Sequence, residues 1–380
     1  MPYWRLSAFY LVFFSSLGTM LPYWGLYLES LNFKPAQIGE LMALIMATKI
    51  ISPNVWGWIA DHTGKPMAIV RLGSLGAAVA FSGTLVGGEF GHSFLWLAVV
   101  MTAFSFFWNA SLPQFEATTF SHLGTQTHRY SSIRLWGSIG FILAVTALGP
   151  VFESLGIGIL PPILLAFMTG IWLVSLWVPE RKLQVAPEHV SLRGVLRRPD
   201  VIALLVVCFL MQASHGPYYT FYSIFLEDHG YSRTLIGWLW ALGVIAEVLV
   251  FMFMHRLVPR FGLRNIFLAS LLCAALRWAL IGLYVDNVSI MVFAQILHAA
   301  SFGVYHAVSI QLIHQYFTGR NQGRGQALYS SLSFGAGGAV GSLFSGYMWS
   351  SAGPLATYLL AALIGIAAFL VAWRSVRIES

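Results

Sequence analysis

The feature that most restricts this chain is the recurrence, from one end to the other, of apolar runs about 17–25 residues long, each able to cross a hydrocarbon layer of ~30 Å as a helix. Only 9% of the residues are charged against 58% hydrophobic, far below the roughly one quarter charged of a water-soluble domain. In lipid a segment must satisfy its backbone hydrogen bonds internally, so such runs fold as helices. Twelve transmembrane helices are predicted, from 4–28 to 354–373, which makes an all-α membrane protein with no room for a separate soluble domain. The formal charge of +7 does not point to nucleic acid, because Lys and Arg are confined to short segments between the runs. Arg5, Lys65, Arg71, Arg129, Arg197, Arg198, Arg264 and Arg374 fall at the termini or in even-numbered loops, whereas Lys34 and Arg233 are the basic residues of the odd-numbered ones. By the positive-inside rule both termini are cytoplasmic. The first run holds Ser15, Ser16, Gly18 and Pro22 with no small-residue cleavage site, so it reads as a retained span. Cys208 and Cys273 lie inside runs and form neither a disulfide framework nor a metal motif.

One polar stretch stands apart, PERKLQVAPEHVSLRGVLRRP at 179–199, near the middle of the chain. A single gapless shift lays Gly18 on Gly216, Leu28-Glu29 on Leu226-Glu227, Ile38-Gly39 on Ile236-Gly237 and Gly64 on Gly262. The glycine and glutamate coincidences carry more weight than those between apolar residues. Duplication follows, with an N-terminal six-helix half at 1–178, a cytoplasmic linker at 179–199 and a C-terminal six-helix half at 200–380. Pseudo-symmetric halves of this kind place a solute site at mid-depth. Spans one and seven are interrupted by Gly18 with Pro22 and by Gly216-Pro217, among aromatic residues. Such breaks are tolerated where the freed backbone groups line a cavity. Tyr23, Trp24 and Tyr27 fit interfacial anchors equally well.

A charged side chain at the bilayer centre costs at least about 2.5–3.5 kcal/mol, so those that persist there are candidates for function. Lys49, Glu247, Arg277 and His298 lie near the middle of spans two, eight, nine and ten, while Glu116 and Arg134 sit toward the cytoplasmic ends of four and five. Asn109, Gln212, His215, Gln295, His306 and Gln311 add uncharged polar groups. Lys49 and Glu247 are equivalent under the internal shift, which allows either a latch between the halves or pairing within each half, Glu247 with Arg277. For a coupled proton Glu247 comes first, because a buried carboxylate that gains and loses a guanidinium neighbour changes protonation state. His298 comes second, an unperturbed imidazole titrating at about 6.5, although a lone histidine in a span also serves as a hydrogen-bonding strut.

The segment after span two, GWIADHTGKP, carries Gly57, Asp61, Gly64 and Lys65 in the order G-x-x-x-D-x-x-G-[RK] and so resembles the conformational loop motif of the major facilitator superfamily. The matching segment HRLVPRFGLR keeps Gly262 but has Pro259 in place of the Asp. Glu116 in LPQFEATTF and Arg134 in YSSIRLWGSIGF resemble the sugar-binding pair of the lactose-permease-like branch, the oligosaccharide–proton symporters. Arg277 in CAALRWALIG and His298 in AQILHAASFG resemble its Arg and His of spans nine and ten. Glu247 resembles the span-eight Glu one turn out of register, and Ser301 stands where that branch has a carboxylate one turn after the His. The coupling acid therefore cannot be carried across, and the role passes to Glu247. RLWGS, HGPYYTFYSIFLEDHGYS, IGWLWALGVIAEVLVF, RWALIG and QILHAASFGVYH resemble the phenylpropionate-permease type. The resemblance implies a monomeric secondary transporter of a bacterial inner membrane, without cofactor or metal, that moves an aromatic carboxylate such as 3-phenylpropionate by proton symport.

The residues themselves leave the solute open. An aromatic acid wants a cation and aromatic walls, which Arg134 or Lys49 with Trp108, Tyr218, Tyr219 and Tyr222 provide. A sugar or nucleoside wants a carboxylate, a guanidinium and a stacking ring, which Glu116, Arg134 and Trp136 provide, with Asn109 and His215 as further polar contacts. An efflux carrier fits the same features. No paired-His metal motif, nucleophile elbow or phosphate-cradling glycine loop occurs in the required context, which argues against a membrane-embedded enzyme.

Overall fold

The computed structural model describes residues 1–181, 194–318 and 321–376. Among them every regular element is helical, and eleven segments are long and apolar enough to cross a membrane. They are α1 (Tyr3–Ser30), α2 (Pro35–Thr63), α3 (Pro66–Leu85), α4 (Phe94–Leu123), α5 (Thr127–Leu155), α6 (Ile157–Trp177), α7 (Pro199–Asp228), α8 (Arg233–Phe261), α9 (Leu263–Leu283), α10 (Val288–Tyr316) and α11 (Gln322–Ser375). Outward faces remain apolar, with Leu95 74% and Leu363 61% exposed, as suits helices whose solvent is hydrocarbon.

α11 differs from the rest. Its 54 residues would extend ~80 Å at about 1.5 Å per residue, more than twice the ~30 Å layer. Gly353 interrupts it with φ +83° and ψ 176°, a backbone conformation that glycine enters without a Cβ clash. Pro354 follows and removes a donor from the next turn. The break divides the segment into limbs at 322–352 and 354–375, where spans 325–350 and 354–373 are predicted. Of the predicted linker, residues 182–193 lie outside the described residues; Val195–Arg197 form one 3₁₀ turn and α7 begins at Pro199.

The chain forms two compact units. Unit one comprises Met1–Phe33, Ala47–Pro187 and Ser232–Gly237; unit two comprises Lys34–Met46, Glu188–Tyr231 and Trp238–Ser380. Each unit thus takes in a short piece of chain from the other side of the linker.

In unit one, α1 packs on α5 at a small-residue crossing. A Cβ on Gly140 would collide with the Leu11 carbonyl, and Ser15 Oγ donates across the same gap to Gly140 O (3.1 Å). Tyr23, Trp24 and Tyr27 of α1 are neither cavity lining nor interfacial anchors: Tyr23 and Trp24 are fully buried and Tyr27 nearly so. Tyr23 Oη donates to Val145 O on α5 (2.9 Å), and the Trp24 ring leans on Phe81 of α3. At the start of α8, the Thr234 amide and hydroxyl both donate to the Glu153 carboxylate, and Arg233 Nη1 donates to Phe152 O (2.8 Å). The conformational motif is mostly helical rather than a loop. Gly57 and Asp61 lie inside α2, which runs through Thr63, and the turn itself is Gly64, at φ +65°, with Lys65. Glu180 caps the next helix, its two oxygens accepting from the Met67 and Ala68 amides (3.0 and 3.1 Å).

In unit two, α7 is broken at His215, between limbs ending at Ser214 and starting at Gly216. There Gly216 abuts the backbone of Gly341 on α11 with no room for a side chain. Leu204 and Cys208 of α7, Leu271 of α9, Tyr305 and Leu312 of α10 and Ala368 of α11 form a continuous buried apolar core. At the far end of the unit, Tyr347 Oη donates to Glu40 (2.6 Å), beside the contact of Gly39 with Gly346.

Candidate functional site

In unit two, a polar cluster joins α7, α8, α9 and α10. Arg277 of α9 has no solvent exposure and is held by its edges. Nη1 donates to His298 Nδ1 (3.0 Å) and Ser301 Oγ (3.4 Å), and Nη2 donates to Gln295 Oε1 (3.0 Å). The guanidinium carbon lies 4.1 Å from the ring centroid of Tyr218, whose hydroxyl also donates to Gln295 Oε1 (3.2 Å). A guanidinium has donors only, so His298 Nδ1 must accept and the neutral imidazole carries its proton on Nε2. That nitrogen lies 3.7 Å from Glu247 Oε2. The pairing predicted between Glu247 and Arg277 is therefore bridged by His298.

Two local features put these groups together. Residues Ala299–Val304 of α10 form a π-helical turn, a rare widening that recurs at functional sites. Gly303 in that turn lies against Glu247, whose Cγ would be 2.7 Å from a Cβ there. Gly243, one turn before Glu247, lies against the His298 ring in the same way (3.3 Å). The carboxylate nearest His298 thus comes from α8, and Ser301 accepts from Arg277.

Of the α7 candidates, Tyr218 belongs to this cluster, and His215, Tyr219 and Tyr222 pack around it. His215 is fully buried, its Nδ1 bonded to Met211 O (2.7 Å) and its ring edge-on to Trp278. Tyr218 and Tyr222 are buried and Tyr219 is half-buried. His306, farther along α10, bonds through Nδ1 to Tyr329 Oη (2.8 Å).

Unit one holds the second cluster. Glu116 of α4 accepts from Tyr130 Oη (3.2 Å). The Arg134 guanidinium carbon lies 3.9 Å from the Phe14 ring centroid and 5.7 Å from that of Tyr10. No hydrogen bond from its N–H groups is made among the described residues. Gly137, one turn along α5, leaves the space in which Arg134 Nη1 lies. The predicted stacking ring, Trp136, is turned away, with its indole N–H donating to Tyr3 Oη (3.1 Å) and its ring edge-on to Trp4. Tyr10, Phe14 and Tyr130 take its place, and sequence reasoning did not single them out. Their signal was present, since Tyr10 and Phe14 share one face of α1 at i, i+4.

Asn109 belongs to a separate group at the contact of α2 and α4. Its Nδ2 donates to Thr48 Oγ1 (3.0 Å) and Ser105 Oγ (3.1 Å), which bond to each other, and half-buried Lys49 follows Thr48 on α2. Trp108 stacks on Phe13 (5.1 Å) and Phe104 (5.5 Å) and is 6% exposed, which makes it packing. Among the described residues no group of three His, Cys, Asp or Glu side chains could hold a metal ion. Chemically, unit one presents a guanidinium with unused donors beside a carboxylate and aromatic faces. Unit two presents a fixed guanidinium hydrogen-bonded to an imidazole that lies 3.7 Å from a partly exposed carboxylate.

A family model described as the MFS_1 like family matches residues 3–360. The chain is 28% identical over 358 residues to the "Probable 3-phenylpropionic acid transporter" of Escherichia coli (strain K12), covering 92% of this chain and 91% of that protein. It is 25% identical over 371 residues to the maltose permease of Geobacillus stearothermophilus, covering 96% and 92%. Among solved structures, the nucleoside transporter NupG superimposes with a TM-score of 0.82 at 16% identity, covering 100% of both chains. At that identity the likeness is one of fold.

Proposed function

Because the chain belongs to the MFS_1 like family, we propose that it is a secondary active transporter that carries an aromatic carboxylate such as 3-phenylpropionate together with protons. It is a multi-pass, all-helical membrane transporter and not an enzyme, as its relatives are. In this reading α11 makes two crossings separated at Gly353, which gives twelve, and the six-helix halves are 1–178 and 200–380. The basic residues of the even-numbered loops orient both termini to the cytoplasm of a bacterial inner membrane.

The observation that carries the proton half of the reading is the chain Arg277–His298–Glu247. A proton on His298 Nδ1 would require Arg277 to let go, whereas a proton on Glu247 would not. Glu247 is the carrier, and His298 is the strut through which Arg277 senses it. Of the other groups named from the sequence for this role, Lys49 lies in unit one next to the Asn109 group and His306 is bonded to Tyr329. For the solute, Arg134 supports an anionic aromatic ligand, because its faces rest on Phe14 and Tyr10 while its donor edge is unused. A guanidinium edge matches a carboxylate in two parallel hydrogen bonds. A second reading, a sugar or nucleoside, is favoured by Glu116 beside Tyr130, which offers an acceptor for hydroxyl groups.

The test is uptake into proteoliposomes under an imposed pH gradient, with labelled aromatic acids, sugars and nucleosides in parallel. Gradient-stimulated accumulation of the aromatic acid is expected. Accumulation of a sugar or nucleoside instead would install the second reading, and accumulation of none above the equilibrium level would exclude proton symport.

A further inference from the structure

Three flat rings lie one above another along α10. His298 stacks on Phe302 with centroids 5.2 Å apart and planes 9° apart, and Phe302 stacks on His306 at 6.0 Å and 8°. The spacing matches the ~6 Å rise of four helical residues. Phe302 is flanked by rings as well, Phe334 of α11 at 6.3 Å and His215 of α7 at 6.0 Å. Both α10 and α11 are π-helical here, Phe334 lying in the turn Ser331–Gly337.

The groups on the two sides of Phe302 are both capable of carrying protons. On one side His298, 6% exposed, meets Arg277 of α9 and Glu247 of α8, with His215 and Tyr218 of α7 facing it. On the other, half-buried His306 is bonded to Tyr329 of α11. A proton passes between two imidazoles only when their nitrogens come within about 2.6–3.2 Å or share one water. Phe302 has no donor or acceptor, and it stands between the two imidazoles with its centroid 5.2 and 6.0 Å from theirs.

We propose that Phe302 is a proton insulator, separating the Glu247–His298 pair from His306 so that protons reach the pair only by the route the solute cycle opens. The inference rests on the proton-symport reading. A phenyl ring suits the task because it stacks on both imidazoles while conducting nothing between them. With water or an imidazole in its place the two histidines would be joined, and the gradient would drain through the carrier without moving solute.

Gradient decay in proteoliposomes without solute, read by an internal pH dye, tests this. F302H adds a third imidazole to the column and is expected to speed decay roughly tenfold, because ring centroids 5.2 and 6.0 Å apart leave each imidazole a neighbour with which it can share one water. F302L is expected to stay as tight as wild type, and F302H/H306A to regain wild-type tightness because one end of the column is gone. F302N, which admits water without adding a base, is the second opening variant, and thermal unfolding midpoints establish that each protein is folded. Folded F302H and F302N that are both tight would overturn the insulator, as would a leak that persists in F302H/H306A. Failure of the underlying reading looks different, since wild type would then move no protons with any solute.

Discussion

Each unit sets an arginine against aromatic rings, and the two are held in different ways. Arg277 is gripped by its edges, donating to His298, Ser301 and Gln295, and has no exposure at all. Arg134 is gripped by its faces, on Phe14 and Tyr10, with its donor edge unused among the described residues. A guanidinium whose edges are occupied can hold its neighbours in one arrangement but cannot also bind a ligand through them. One held by its faces keeps its hydrogen bonds for something else. In the proposed function the same residue type serves coupling in one unit and recognition in the other.

The contrast can be broken most directly by truncating both arginines. Arg277→Ala removes one partner from a buried charged network and is expected to cost about 3–5 kcal/mol of stability. Arg134→Ala loses stacking contacts worth about 1 kcal/mol. Thermal unfolding of the purified proteins measures both, and equal losses would dissolve the distinction.

A sharper separation comes from the two acids. Glu247→Gln is expected to abolish gradient-driven accumulation while leaving solute counterflow intact, since exchange needs no net proton movement. Glu116→Gln is expected to weaken both in parallel by raising KM. Full gradient-driven accumulation by Glu247→Gln would remove that residue from coupling.

Arg134→Lys tests the face-on grip itself. Lys keeps the charge but loses the planar fork, so KM for an aromatic acid should rise roughly tenfold, about 1.4 kcal/mol, with an unchanged accumulation ratio.

The smallest effect is expected at Gly303→Ala. The added Cβ displaces the Glu247 side chain, which should shift the pH profile of uptake and lower its rate by a factor of roughly three, within the 0.5–1.5 kcal/mol typical of forcing a side chain off its rotamer. In a Glu247→Gln background the same substitution should change nothing further. An additive effect there would mean that Gly303 acts on packing alone.

Much of the charged framework was legible in the sequence because lipid makes it so. Arg277, His298 and Glu247 stood out as groups whose cost in a span demands a reason, and the structure brings the three together. Their order was not legible, because nothing in spacing along three different helices tells which of two groups stands between Arg277 and the acid. Trp136 shows a different kind of miss. It was offered as the ring beside Arg134, yet residues two apart on a helix do not share a face. Tyr10 and Phe14, at i, i+4 on α1, were overlooked because aromatic residues in spans are common and only the crossing of α1 and α5 picks these two out.

The sequence by itself determined that the chain is helical and apolar, roughly where each span begins and ends, and which few charged groups must find shelter. These are local matters, since a helix closes its hydrogen bonds four residues back and an apolar run announces its own length. Tertiary structure alone decided which faces meet. Glu247 of α8 comes within 3.7 Å of His298 where Gly303 and a π-helical turn leave room for it. Phe302 comes to lie between two histidines because the helix stacks residues four apart and its neighbours close the sides. Such pairings depend on where two helices approach without a Cβ between them, and that is a property of their packing, absent from either strand of sequence read alone.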